Sequence, residues 1–267
     1  MRKIKCKLLG LYQLMKFDNS FELILNRTFF CKNGVNIYRM KGMQIIIDHE
    51  GGDENGTRAV LVTNMYKKYL DKLSCKLPIN VLDLGANGGG WLLLVEMMGF
   101  RLRKIVAVEM NPYTYSRLQF NITHNLRPLD DPVILNKAIC GKSKSYTINF
   151  GRGSTSDSLY NSNDAGETRE ITGETLDKIY EKYFSNEIIN ICKIDVEGAE
   201  FEVFERIPKA IKYIEYIIME VHKKQEENIS LLSKLEKHGF RLLNDSINSD
   251  NVFFLKNENI NYLLLDE

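Results

Sequence analysis

The sequence predicts an α/β domain built on a mainly parallel, doubly wound sheet. Three observations carry this. Short apolar runs alternate with helical stretches from Ile79 onward, a glycine-rich loop closes the first run, and an acidic residue, Glu109, ends the second. Strands that alternate with helices give parallel sheets covered on both faces, because each parallel connection must cross back over the sheet.

Residues 1–74 read as an N-terminal extension of helical and hairpin character, with a substrate or oligomer role. Residues 75–267 read as the main domain, with an insertion over 141–173. Apolar residues over 8–15 and 21–25 suggest helix or short strand. The isoleucine-rich alternation over 36–48 predicts a hairpin. Residues 50–56 form a loop by composition. Leu61, Met65, Tyr69 and Leu73 have the spacing of one helix over 60–73.

The main domain then runs strand 79–84, helix 91–98, strand 104–109, and a helix opened by Pro112, a good first-turn residue, reaching about His124. A third strand spans 132–139. The polar stretch 141–173 reads as hairpin and loop, with strands over 145–150 and 168–172, long enough to be functional. The core resumes with strand 188–195, helix 198–205, strand 213–221, and an amphipathic helix 229–238 with Gly239 as its C-cap. Residues 240–243 and 252–256 fit a closing antiparallel pair.

Bulk composition narrows the function classes. The 267 residues are 44% hydrophobic and 27% charged, a globular balance. The formal net charge of +1 gives no basic excess of the kind that drives nucleic-acid binding. Cys6, Cys31, Cys75, Cys140 and Cys192 are odd in number and form no CxxC pair. This speaks against a disulfide framework and a structural zinc site, and for a reducing, cytoplasmic setting. The basic start resembles a signal peptide, but Gln13, Lys16 and Asp18 break the apolar stretch, so an amphipathic helix is expected. No apolar run reaches the length of a membrane span. A homo-oligomer stays open.

The first chemical signal is Val81-Leu82-Asp83-Leu84-Gly85-Ala86-Asn87-Gly88-Gly89-Gly90, between a strand and a helix. Glycines there let a ligand approach the backbone, and the helix N-terminus favours a negative group. Asn87 breaks the dinucleotide fingerprint, and no Gly-Lys-Ser/Thr follows, so a phosphate loop is not indicated. The pattern suits S-adenosylmethionine, which has an amino-acid tail and no phosphate. Glu109, at the end of the next strand, can accept hydrogen bonds from both ribose hydroxyls. NAD would use the same carboxylate, so Glu109 alone does not separate the two cofactors.

The second signal is Lys193-Ile194-Asp195-Val196-Glu197-Gly198-Ala199-Glu200, four ionisable residues crowded at the end of a buried strand. Charges there are costly unless they reach solvent or a ligand. Together these pieces resemble the FkbM family of methyltransferases. The resemblance also takes in Val106-Ala107-Val108-Glu109-Met110-Asn111-Pro112, Asn136-Lys137-Ala138-Ile139, a serine-rich patch over 154–158, Thr175-Leu176-Asp177 and Glu220-Val221-His222. It covers about residues 69–223.

The resemblance implies a Rossmann-like class I methyltransferase sheet and methyl transfer from S-adenosylmethionine, usually to a hydroxyl of a sugar, polysaccharide or other secondary metabolite. Carried over, the cofactor site comprises Asp83, Gly85, Ala86, Asn87, Gly88, Glu109 and Asn111, with Asn136 and Ala138 near the adenine. Gly89, Gly90 and Met110 depart from the family pattern. Asp195, Glu197 and His222 are expected at the catalytic end, with His222 as base by its ordinary pKa range. No metal is predicted, although Asp195, Glu197, Glu220 and His222 could instead hold a hard cation such as magnesium. Competing readings are a nicotinamide-dependent oxidoreductase, which the lack of a Tyr-x-x-x-Lys pair disfavours, and a non-catalytic binding module on the same fold. A nucleic-acid amino-methyltransferase is disfavoured by Asp195-Val196-Glu197-Gly198, which stands where such enzymes carry an Asn/Asp-Pro-Pro-Tyr-type segment.

Overall fold

The computed structural model describes residues 9–30, 34–75, 77–150, 167–222, 224–244 and 251–260. The serine-rich patch over 154–158, Cys6, Cys31 and Lys223 lie outside them. A helix over 9–14 and α1 (Ser20–Thr28) lead into a hairpin of β1 (Val35–Met40) and β2 (Met43–Asp48), paired antiparallel. Main-domain elements follow as β3 (Ile79–Leu84), α2 (Gly90–Met97), β4 (Leu102–Glu109), α3 (Pro112–Asn125), β5 (Val133–Asn136) and β6 (Ala138–Ile139). Next come β7 (Ser145–Phe150), β8 (Glu167–Glu174), α4 (Leu176–Tyr183), β9 (Ile189–Ile194), α5 (Glu200–Val203), β10 (Ile214–Glu220), α6 (Gln225–Glu236), β11 (Phe240–Leu242) and β12 (Val252–Asn257).

The central sheet has the order β11-β12-β10-β9-β3-β4-β5. Strands β5, β4, β3, β9 and β10 run parallel to one another, whereas β12 is antiparallel to both β10 and β11. The order reverses between β3 and β9, and the carboxyl ends of the strands at such a reversal open a crevice. Every residue of β3 is buried, as befits a strand covered on both faces. Among the described residues no helix is long and apolar enough to cross a membrane.

The N-terminal extension packs into the same core as the sheet: Phe17, Leu23, Tyr38, Ile45 and Ile47 share one apolar cluster with Trp91, Leu92 and Val95. Two asparagines of α3 fasten the hairpin. Asn121 Oδ1 accepts from the Ile46 N–H at 2.7 Å and its amide donates to Ile46 O at 3.0 Å. Asn125 does the same for Gln44, at 2.8 Å each way. These side chains satisfy the edge of β2 as a neighbouring strand would.

Four local expectations change. The single helix over 60–73 is broken: Val60–Val62 and Lys67–Leu70 are helical, but Thr63 is extended and its Oγ1 accepts from the Met65 N–H at 3.3 Å, competing with the helix ladder. The composition-based loop instead enters a π-helical turn, Glu54–Ala59. The strand over 132–139 splits at Lys137, so that β6 leaves the central sheet and pairs with β8. The helix over 198–205 shortens to α5 because the Glu200 side chain accepts from Val196 and Gly198 N–H groups before it.

Candidate active site

A cavity of about 340 Å³ opens at the carboxyl ends of β3, β4, β9 and β10. Its floor is the glycine loop. Gly85 has φ +77°, and a Cβ there would overlap the carbonyl oxygen of Asp195, so only glycine lets β3 and β9 end side by side. The Asp195 N–H donates to Leu84 O at 2.9 Å across the same junction.

Glu109 is held in place at the end of β4. Its Oε2 accepts from the Asn87 N–H at 2.9 Å, and its Oε1 from the Asn111 N–H at 2.8 Å. Asn111 in turn caps α3, its Oδ1 accepting from the Tyr113 and Thr114 N–H groups. The carboxylate therefore sits fixed on the cavity wall with its position set by backbone donors.

The N-terminal extension closes over the loop. Asn55, Gly56, Met65 and Tyr66 reach the cavity. Thr57 Oγ1 donates to Asn87 Oδ1 at 3.0 Å. A Cβ on Gly90 would lie 2.7 Å from Thr57 Cα and 2.9 Å from Gly56 O. The extended glycine run thus has a packing reason: it admits the backbone at residues 56–57. The extension itself is anchored by Asp53, whose carboxylate receives Arg117 Nε at 2.6 Å and an Nη at 2.8 Å.

Past the carboxyl ends of β9 and β10, carboxylates crowd. Asp195, Glu197 and Glu220 line the cavity. Tyr66 Oη stands 3.4 Å from Asp195 Oδ2 and 3.5 Å from Glu220 Oε2. Lys193 Nζ lies 3.4 Å from Asp195 and donates to Gly85 O at 2.9 Å. Burial, strengthened by Asp195, Glu220 and Glu200 and opposed by His222, pushes the Glu197 carboxyl up to about 7. His222 behaves differently. Burial works against its charge, but the hydrogen bond from Nδ1 to Glu200 Oε1 at 2.9 Å, with the nearby carboxylates, prevails and raises it to about 9. These contacts favour the charged form of the ring. His222 is absent from the cavity wall, with Nε2 3.6 Å from Glu197 and 3.8 Å from Asp195. A base must be free to take a proton, and the Glu200 hydrogen bond with the surrounding carboxylates favours the protonated ring instead. One ligand atom each from Asp195, Glu220 and His222 falls within 4.8 Å of the others. The same carboxylates are neutralised in part by that ring in its charged form.

The sequence profile of the methyltransferase FkbM domain matches residues 83–242, more than half of the chain. The chain belongs to the FkbM methyltransferase family. No curated protein matches it. Among solved structures it is similar to the FkbM methyltransferase of Methylobacillus flagellatus KT (12% identity, TM-score 0.44), covering 70% of this chain but only 47% of that one. It is also similar to a protein of the NADB-Rossmann superfamily from Streptococcus agalactiae (11% identity, 73% and 68% covered, TM-score 0.43). A third is TrmK of M. capricolum, solved with S-adenosylhomocysteine (10% identity, 74% and 70% covered, TM-score 0.42). These likenesses are distant, and the family assignment rests on the profile match.

Within this FkbM chain, Gly85, Ala86, Asn87, Glu109 and Asn111 line the cavity, as do Asp195 and Glu197. Asp83, Gly88, Asn136 and Ala138 do not. Asp83 is fully buried beneath the loop, 3.3 Å from Lys193 Nζ. Burial pushes the Asp83 carboxyl up and Lys193 pulls it back. Lys193, between Asp83 and Asp195, is held protonated. Asp83 thus acts by holding Lys193. Asn136 is turned toward the backbone, its amide donating to Glu109 O and Met110 O at 2.9 Å. Ala138 packs with Ile148, Phe150 and Ile171. The alternating side-chain period of extended chain sends Lys137 and Ile139 to the cavity instead. Tyr66, Met65 and Asn55 were missed because nothing in the extension resembles a motif. In the sequence Trp91 stands out only as the first residue of a helical stretch.

Proposed function

We propose that this FkbM-family chain transfers a methyl group from S-adenosylmethionine to a hydroxyl of a sugar, polysaccharide or other secondary metabolite. The observation that carries this reading is one cavity walled by two different carboxylates: Glu109, fixed by backbone donors beside the glycine loop, and Glu197, which burial pushes up to about 7. The residues fit the cofactor. Glu109 suits two ribose hydroxyls, the loop offers a helix N-terminus without a phosphate motif, and the surplus of carboxylates past β9 and β10 suits a sulfonium cation.

When bound, S-adenosylmethionine supplies a methyl group activated by the sulfonium. Glu197, poised near 7, accepts the proton that an alcohol must lose. His222, charged and fixed by Glu200, holds the neighbouring carboxylates in register. Tyr66 donates to the Asp195 and Glu220 side and leaves Glu197 for the acceptor. The stretch 50–66, from which Asn55, Gly56, Met65 and Tyr66 reach the cavity, is the part that shapes the acceptor side, since the family motifs serve the cofactor; residues 151–166 of the insertion lie outside the described residues.

Label transfer tests this directly. The protein is incubated with methyl-labelled S-adenosylmethionine and a panel of sugars, lipids and small phenols, and label is expected on an oxygen of one class. Calorimetry is expected to register S-adenosylmethionine and S-adenosylhomocysteine and not NAD. Binding of NAD in place of both would return the chain to the oxidoreductase reading. Cofactor binding with label on nitrogen would overturn the hydroxyl acceptor.

A further inference from the structure

Trp91 is the chain's only tryptophan. It is the second residue of α2, directly after the glycine loop, and 1% exposed. It lines the cavity, yet its Nε1–H is buried and meets no acceptor. An indole N–H can only donate, and buried tryptophans ordinarily find a partner because a stranded donor costs free energy. A phenylalanine would fill this apolar corner without that cost. The indole is therefore suited to an acceptor that arrives with a ligand.

The rest of the wall says which acceptor. Its two lysines are already paired: Lys137 with Glu174 at 2.6 Å, and Lys193 with Asp83 and Asp195 at 3.3 and 3.4 Å. The loop from Gly85 to Gly90 carries no cationic side chain, and Asn87 Oδ1 is itself an acceptor, from Thr57 and Gly88. Glu109 and the other carboxylates favour hydroxyls and positive charge. A negative group entering this cavity meets neutral donors near the start of α2.

Resting on the methyltransferase reading, we propose that the Trp91 indole N–H donates to the carboxylate of the cofactor's amino-acid tail, so that the site distinguishes the full cofactor from its nucleoside part. Trp91 then sets affinity for the tail, while Glu109 holds the ribose.

The test compares S-adenosylhomocysteine with 5′-methylthioadenosine, which lacks the amino-acid tail. Trp91→Phe keeps an aromatic ring in place, smaller than the indole, and removes the N–H; any loosening from the lost volume would act on both ligands alike. By calorimetry the variant is expected to bind S-adenosylhomocysteine about tenfold more weakly, the order for a hydrogen bond to a charged group, and to bind 5′-methylthioadenosine as before. Equal weakening of both ligands, or of neither, overturns the assignment and leaves the cofactor reading standing. Wild-type protein that binds neither ligand brings both down together. The intact protein gives a second readout that does not depend on the variant folding. A single tryptophan gives a single indole N–H resonance, which is expected to move downfield with S-adenosylhomocysteine and to stay in place with 5′-methylthioadenosine. A resonance that responds alike to both ligands overturns the carboxylate contact.

Discussion

Replacing Gly90 by alanine sets two effects of opposite sign against each other. Gly90 opens α2, and within a helix alanine is preferred to glycine by about 0.5–1 kcal/mol, so propensity alone predicts a gain. Packing predicts a loss. The added Cβ would lie 2.7 Å from Thr57 Cα, 2.8 Å from Thr57 O and 2.9 Å from Gly56 O. All three atoms are backbone, so no side chain can swing aside. Overpacking of this kind costs about 1–3 kcal/mol. A displaced segment would also strain the 3.0 Å bond from Thr57 to Asn87, about 0.5–1.5 kcal/mol more. Packing prevails, and Gly90→Ala is expected to destabilise by about 1–3 kcal/mol. Asn87 also holds Glu109, so affinity for S-adenosylhomocysteine should fall in the same variant. Urea unfolding measures the first quantity and calorimetry the second. Gly99→Ala is the control. Its φ of +87° strains alanine but nothing lies within 4 Å of the new Cβ, so stability should drop with ligand affinity intact. A Gly90→Ala protein as stable as wild type, with unchanged affinity, would show that residues 56–57 do not lock onto the loop.

Glu109→Ala should weaken cofactor binding by about 1.5–3 kcal/mol, as for charge-assisted hydrogen bonds, and unchanged calorimetric affinity would remove Glu109 from the ribose site. Transfer is expected to accelerate as pH rises through about 7, where Glu197 loses its proton, and Glu197→Gln should abolish that limb of the profile; a variant that keeps it points to another base. His222 has a folded value of about 9, above its ordinary 6.5, so its charge adds stability that is complete below 6.5 and lost as pH climbs toward 9. Urea midpoints measured across that window should therefore fall less steeply in His222→Ala than in wild type, and parallel curves would count against the pairing with Glu200.

The parallel core was readable because its signals are local: β3 is a continuous apolar run, Pro112 marks the start of α3, and a glycine closes each of several elements. The cavity-lining positions Gly85 and Glu109 were readable for the same reason, since they sit at fixed offsets from strand ends. The sequence is silent where a tertiary contact decides the placement. Asn136 and Ala138 lie off the cavity wall, on an extended stretch whose register only the fold sets. The histidine near the catalytic end could be named from its motif, but its charge depends on Glu200, twenty-two residues away and fully buried. Tyr66 could not be found at all, because its partners Asp195 and Glu220 are joined to it only by folding.

The stretch that carries the family signature begins at Asp83, whereas Asn55, Gly56, Met65 and Tyr66 come to the cavity from upstream of it. The wall of the cavity is thus encoded in two separate stretches. A lineage that rewrites the upstream one alters part of this wall and leaves the loop from Gly85 to Gly90 as inherited; the fastening through Asn121, Asn125 and Arg117 asks only for a strand edge and one carboxylate in return. A fragment cut to the signature would lose these four wall residues together with most of β3, all of β12 and the apolar residues that the extension packs against α2, so the floor too depends on chain outside it.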